Sequence, residues 1–233
     1  MNLSIILPTL DKIGAARNLA LRFRELFPAL AIEVVVVTPH PTDALSEPGI
    51  RLVEDRGGGV YAAYTLGLKQ ARGDYVWLVG DDDYPLDTAA RLTPLLLARE
   101  ADLIVAPVIF STGRVYRPYR SKLLLLFFNW CQQGVLYRRT ALVKRPFYRR
   151  LRVQADHYVN VLMRADEDLR KVFFAEPICV FGAHGLSSRD GDVKFRALRP
   201  RLARRTLGYF GFLVFKAIVA VMSVRKWRGR PRT

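Results

Sequence analysis

Three consecutive carboxylates, Asp81, Asp82 and Asp83, close the segment GDYVWLVGDDD that begins at Gly73. Neighbouring aspartates offer hard anionic oxygens of the kind that hold Mg²⁺ or Mn²⁺ on a diphosphate. A solvated acidic turn is the alternative, because Tyr84 and Pro85 follow directly. A second chemical feature is Arg56 followed by Gly57, Gly58 and Gly59. A glycine turn that feeds a helix N-terminus presents backbone amides and the positive end of the helix dipole to a phosphate. Arg56 either adds a cation there or is an ordinary exposed arginine.

These groups need a scaffold that brings them to one edge. The run before the aspartates is apolar on both alternating faces, which is how a strand buried in a parallel sheet reads. The spacing predicts strands at Leu3 to Leu7, Glu33 to Val37, Ile50 to Val53, Tyr75 to Val79 and Leu103 to Ala106. Helices are predicted between them at Ile13 to Phe27, Val60 to Ala71 and Leu86 to Ala98. Alternation of this kind builds a mostly parallel α/β sheet with helices on both faces, and ligands bind at the carboxyl ends of its strands. Beyond residue 107 the elements shorten: a hairpin over Val108 to Tyr116, an apolar helix at Leu123 to Trp130 and a strand at Val135 to Tyr137. A helix at Ala155 to Arg164 and strands at Val172 to Phe174 and Ile178 to Phe181 follow.

A chain of 233 residues, half of them apolar, suffices for one sizeable core and excludes a disordered default. The net charge is +16, of which +11 lies between Arg189 and Thr233. Residues 1–188 therefore read as a mildly basic domain and 189–233 as a strongly basic helical tail. Cys131 and Cys179 have neither metal-knuckle nor disulfide-framework spacing, which suits a reducing cytoplasmic compartment. The opening MNLSIILPTL reads as a first strand rather than a signal peptide.

With these residues in place, the chain resembles family 2 glycosyltransferases of the GT-A (Rossmann-like) fold, of the bacterial polysaccharide and cell-envelope type. The resemblance rests on LSIILPTLDK, on Glu54-Asp55-Arg56-Gly57 with Val60-Tyr61 and Gly67, and on Ala71 to Tyr75 leading into the aspartates. Gln133 to Arg139, Gln154 to Tyr158 and His184-Gly185-Leu186-Ser187-Ser188 extend it to residue 188. Two departures stand out. Thr38 to Asp43 keeps only the last two residues of the family's base-reading turn, and Gly80 takes the first place of the acidic motif.

The resemblance implies an inverting transfer from a nucleotide-sugar, with a UDP-sugar as the expected donor and Mg²⁺ or Mn²⁺ as cofactor. Pro8, Thr9, Asp43, Asp55, Arg56 and Asp81 are the implied donor contacts. Asp82 is the implied metal ligand, with Asp83 and His184 assisting. His184 is otherwise a solvent-facing loop histidine. Asp156 is the implied general base; read alone, it is a helix cap or a partner of Arg152. Trp130, Gln132 and Gln133 are the expected acceptor contacts, with Trp130 as plain core the alternative, and Asp11 is expected to cap the first helix. The implied acceptor is a glycan or lipid-linked glycan.

In the tail, Leu207 to Val224 is apolar except for Lys216 and is bracketed by Arg204-Arg205 and Arg225-Lys226. Eighteen residues with a central lysine fall short of the roughly 20 apolar residues of a spanning helix. The expectation is a peripheral or monotopic position on an anionic membrane surface at its inner face. The alternatives are packing on the catalytic domain or on a second copy in a homodimer. Nucleic acid is disfavoured because the final basic run carries no series of interleaved aromatic residues, only Trp227. A second functional reading is a weakly active or non-catalytic paralogue serving as a scaffold. A third, a sugar nucleotidyltransferase, lacks that class's N-terminal glycine, arginine and lysine signature.

Overall fold

The computed structural model of the chain describes residues 1–42, 47–182 and 192–228. Its centre is a seven-stranded sheet in the order β10-β6-β9-β4-β1-β2-β3. The strands are β1 (Leu3–Pro8), β2 (Ile32–Thr38), β3 (Ile50–Glu54), β4 (Tyr75–Leu78), β6 (Leu103–Val105), β9 (Val135–Arg138) and β10 (Lys171–Phe173). A second sheet of four short strands runs β5 (Tyr84–Pro85), β11 (Cys179–Phe181), β7 (Val108–Phe110) and β8 (Val115–Tyr116).

Alternate residues of the central strands enter opposite cores. Ile6, Val35, Val37, Val76 and Leu78 face one layer, while Leu3, Ile5, Leu7, Val34, Val36, Tyr75 and Trp77 face the other. The first layer is closed by α2 (Val60–Gln70), α4 (Lys122–Leu125), α5 (Arg139–Val143), α6 (Ala155–Ala165) and part of α7 (Val193–Arg228). The second is closed by α1 (Ile13–Leu26) and α3 (Thr93–Ala98). This is the expected α/β sheet with helices on both faces, because strands covered on both sides must be apolar throughout.

Two local differences from the sequence expectations have physical causes. The helix expected from Leu86 is a 3-10 turn at Asp87–Leu92 followed by α3, with Pro94 in its first turn, where the missing amide hydrogen costs nothing. Asp11 does not cap α1: the capping position is Lys12, whose backbone N–H donates to Thr9 Oγ1 at 3.2 Å.

The strand with the largest consequence is β9. It lies antiparallel between β4 and β6, pairing Trp77 with Leu136 and Ile104 with Leu136. Because it runs backwards, its first residues sit at the edge where β4 ends. The 3-10 turn Gln132–Gly134 is thereby delivered beside the aspartates.

α7 is two helices joined at Gly208, whose backbone (φ 68°, ψ −173°) leaves the helical region and takes a conformation that favours glycine. In the first part, Phe195, Leu202 and Ala203 are buried in the domain's core. In the second, Phe215 is buried and stacks on Phe127 at 5.3 Å, while Phe212 and Val219 pack beside it.

Candidate active site

A cavity of about 480 Å³ opens at the carboxyl edge of the central sheet. Its polar lining includes Tyr61, Asp82, Asn129, Gln132, Gln133 and Asp156. Phe110, Tyr116, Phe128 and Phe181 supply an aromatic wall. Four local devices set this arrangement.

The first concerns the aspartates, whose roles diverge. Asp81 accepts from Thr9 Oγ1 at 2.7 Å and pairs with Lys12 Nζ at 3.1 Å, which ties the end of β4 to the end of β1. Asp83 is buried and accepts from the Gly80 amide at 2.6 Å and the Gly182 amide at 3.2 Å. Burial pushes its carboxyl up to about 7, opposed by those amides. Asp82 alone of the three lines the cavity, and its carboxylate makes no hydrogen bond or ion pair among the described residues.

The second device is the approach of Gly182 to Asp82. A Cβ at position 182 would lie 2.4 Å from Asp82 Oδ2 and 2.6 Å from its backbone oxygen. Only glycine lets the end of β11 close over this aspartate.

The third is the entry to α6. Gln154 adopts left-handed backbone angles (φ 66°, ψ 22°), which cost a non-glycine residue on the order of 1 kcal/mol. The fold holds it there: Gln154 Oε1 accepts from the Asp192 amide at 2.9 Å, and Asp192 Oδ2 accepts from the amide of Arg152 at 3.2 Å. The turn places Asp156 in the first turn of α6, where a carboxylate also complements the helix dipole.

The fourth is the seat of Asp156, which is 6% exposed. Tyr61 Oη donates to Oδ1 at 2.5 Å and Asn129 Nδ2 donates to Oδ2 at 2.5 Å. Burial, followed by the nearby carboxylate, raises the Tyr61 phenol well above its ordinary value, so it remains a donor. Arg152 contributes a backbone amide to Asp192 instead of an ion pair to Asp156.

The structure thus gathers Asp82, Asp156, Trp130, Gln132 and Gln133 around one cavity. Trp130 is fully buried, with its indole N–H donated to the Tyr119 carbonyl at 2.8 Å, so it forms the wall from behind. Thr9 and Asp81 lie next to one another at the edge and outside the cavity lining. Pro8 ends β1 beside them. Asp55 accepts from the Gly57 amide at 2.9 Å at the start of the glycine turn, and Arg56 is exposed beside Glu54 at 3.8 Å; neither lines the cavity. Asp43 and His184 lie outside the described residues. Two contributors escaped the sequence reading as site residues: Tyr61, at the start of the helix after the glycine turn, and Asn129, next to Trp130.

Among the described residues no three His, Cys, Asp or Glu side chains converge as a ready cage. One cavity-facing carboxylate without a protein partner nonetheless fits Mg²⁺ or Mn²⁺, which bind through one or two carboxylates and complete their shell with phosphate oxygens and water.

The model of the family described as Glycosyl transferase family 2 matches residues 4–166. Curated relatives include the PGL/p-HBAD biosynthesis glycosyltransferases of Mycobacterium bovis and Mycobacterium tuberculosis. They are 30% identical over 168 residues, an alignment that covers 67% of this chain and 64% of theirs. The chain therefore spans less than two thirds of those relatives' length. Among solved structures, S. aureus TarS 1-349 in complex with UDP-GlcNAc matches with a TM-score of 0.67 and 18% identity over 88% of this chain and 67% of that one. Its complex with UDP matches with a TM-score of 0.62 at 18% identity, over 87% of this chain and 64% of that one. At that identity the likeness is one of fold.

Proposed function

The chain belongs to glycosyl transferase family 2, and from that premise we propose that it transfers a sugar, with inversion, from a nucleoside-diphosphate sugar to a glycan or lipid-linked acceptor of the cell envelope. One observation carries this reading: Asp82 and Asp156 face a single cavity at the carboxyl edge of the sheet. That placement would let one carboxylate serve the diphosphate and the other the attacking hydroxyl.

The donor would lie along the edge formed by Pro8, Thr9, Asp55 and Asp81, with Arg56 and the glycine turn on its diphosphate side. Asp43 would complete the donor set and His184 would assist Asp82 with the ion. Asp82 would hold Mg²⁺ or Mn²⁺, with Asp83 assisting, and the ion would supply charge neutralisation for the departing diphosphate. Asp156 would take the proton from the attacking acceptor hydroxyl, its two oxygens aimed by Tyr61 and Asn129. Gln132 and Gln133 would hydrogen-bond the acceptor, with Phe110, Tyr116, Phe128 and Phe181 against its apolar face and Trp130 supporting that wall from behind. The UDP-GlcNAc seen with TarS makes UDP-sugars the first donors to test.

Calorimetry of the full chain with UDP and UDP-sugars, with and without Mn²⁺, tests the donor side. We expect binding that Mn²⁺ strengthens at least tenfold, about 1.4 kcal/mol. Failure to bind any nucleoside diphosphate would favour the scaffold reading.

The tail completes the proposal. Val193–Ser223 passes the length and composition test for a membrane-crossing helix. The break at Gly208, however, leaves an apolar run at 209–224 that is about 24 Å long at ~1.5 Å per residue, below the ~30 Å hydrocarbon thickness. One side of that run is already packed on the domain through Phe215, while Tyr209, Phe210, Leu213, Val214, Val221 and Met222 are exposed. Arg204, Arg205 and Lys216 are exposed alongside. An apolar face with a basic rim suits an anionic leaflet and would hold the enzyme in the membrane plane at its cytoplasmic face. We expect the full chain to sediment with vesicles containing phosphatidylglycerol and Phe210→Glu together with Leu213→Glu to abolish this. Equal recovery in the supernatant with and without anionic vesicles would refute it.

A further inference from the structure

The carboxylate of Asp156 ends a directed chain of hydrogen bonds that begins in the core. Tyr137 Oη, on β9, donates to Asn160 Oδ1 at 2.7 Å. Asn160 Nδ2 donates to Asn129 Oδ1 at 3.0 Å, and Asn129 Nδ2 donates to Asp156 Oδ2 at 2.5 Å. Asn160 stands one helical turn beyond Asp156 on the same face of α6 and is fully buried, as is Tyr137. Each amide has its oxygen claimed by the donor behind it, so only its nitrogen is available ahead. Reversing either amide would set oxygen against oxygen or nitrogen against nitrogen in a buried site.

Burial holds Tyr137 well above its ordinary pKa, so the phenol at the root keeps its proton and donates it to Asn160 Oδ1. The Asn129 end is held as well: its backbone carbonyl accepts from Tyr116 Oη. We propose that Asn160, oriented by Tyr137, is a positioning residue that keeps the Asn129 amide nitrogen turned toward Asp156 and so aims the carboxylate at the acceptor. The assignment deepens the reading of Asp156 as general base and rests on it for its catalytic meaning, while the relay itself is independently testable.

The test is nitrogen-15 and proton NMR of the full chain labelled at asparagine side-chain amides, with the Asn129 and Asn160 signals identified by their loss in Asn129→Ala and Asn160→Ala. Tyr137→Phe should shift the Asn129 amide signal and speed exchange of its protons with water by about tenfold. Asn160→Ala should do the same. Tyr75→Phe removes a buried hydroxyl that donates to the Ala101 carbonyl outside this chain, and should leave the Asn129 amide unchanged. An unchanged Asn129 amide in Tyr137→Phe overturns the relay, and that variant decides alone should Asn160→Ala not fold. Sugar transfer by Asp156→Asn separates the two claims. If that variant stays active while the Asn129 amide moves in Tyr137→Phe, the base assignment fails and the relay stands. If it is inactive and the amide does not move, the reverse holds.

Discussion

Asp156→Asn should lower kcat for sugar transfer by about 10²- to 10⁴-fold, the usual contribution of a positioned general base. The substitution preserves the size of the side chain and an acceptor for Tyr61, so the loss belongs chiefly to the missing basic oxygen. Its structural side effect is bounded. The new amide nitrogen would meet Asn129 Nδ2 at the position of Oδ2, and one misplaced hydrogen bond costs about 1–3 kcal/mol. A thermal melt run beside the assay would show this as a small drop in Tm without unfolding. The measurement is nucleoside diphosphate release with a donor and membrane-extract acceptor. Activity within tenfold of the parent protein would remove Asp156 from the base role and shift attention to Tyr61 and the glutamines on the same cavity.

The second large effect is expected at Asp82. Asp82→Ala should abolish the Mn²⁺ enhancement of nucleoside diphosphate binding and reduce transfer by about 10²- to 10³-fold, the scale seen when one charge-stabilising group is removed from a transition state. Neither neighbour can substitute: Asp81 is committed to Thr9 and Lys12, and Asp83 to the amides of Gly80 and Gly182. Asp81→Ala and Asp83→Ala should therefore behave differently, the first by loosening the β1 loop and the second by destabilising the turn. Calorimetry with UDP and Mn²⁺ reads this directly, and an undiminished Mn²⁺ effect in Asp82→Ala would place the ion elsewhere.

The two substitutions probe opposite ends of one cavity, and their effects should be separable. Loss at Asp82 should weaken donor binding, whereas loss at Asp156 should leave donor binding in place and slow the chemical step.

Much of this architecture could be read before any coordinates. β1, β2 and β4 are apolar at nearly every position because the sheet is covered on both faces, and their residues divide alternately between the two cores. The acidic end of β4 marked the cavity edge for the same reason: polar side chains enter such a strand only where it leaves the core. The irregular half was less legible. The antiparallel insertion of β9 depends on partners 59 and 32 residues before Leu136 in the chain, Trp77 and Ile104, and no local pattern encodes which edge a strand will choose.

The roles within the site divide along the same line. Residue type and order along the chain determined a parallel α/β sheet, an acidic ligand edge, a basic apolar C-terminal helix and a short set of carboxylates, since these follow from local periodicity and charge. Tertiary structure decided which aspartate of three faces the cavity, that Asn129 and Tyr61 hold Asp156, and that α7 turns at Gly208 with one side on the domain. Those outcomes rest on hydrogen bonds and packing between groups distant in sequence, whose geometry exists only once the sheet has closed around them.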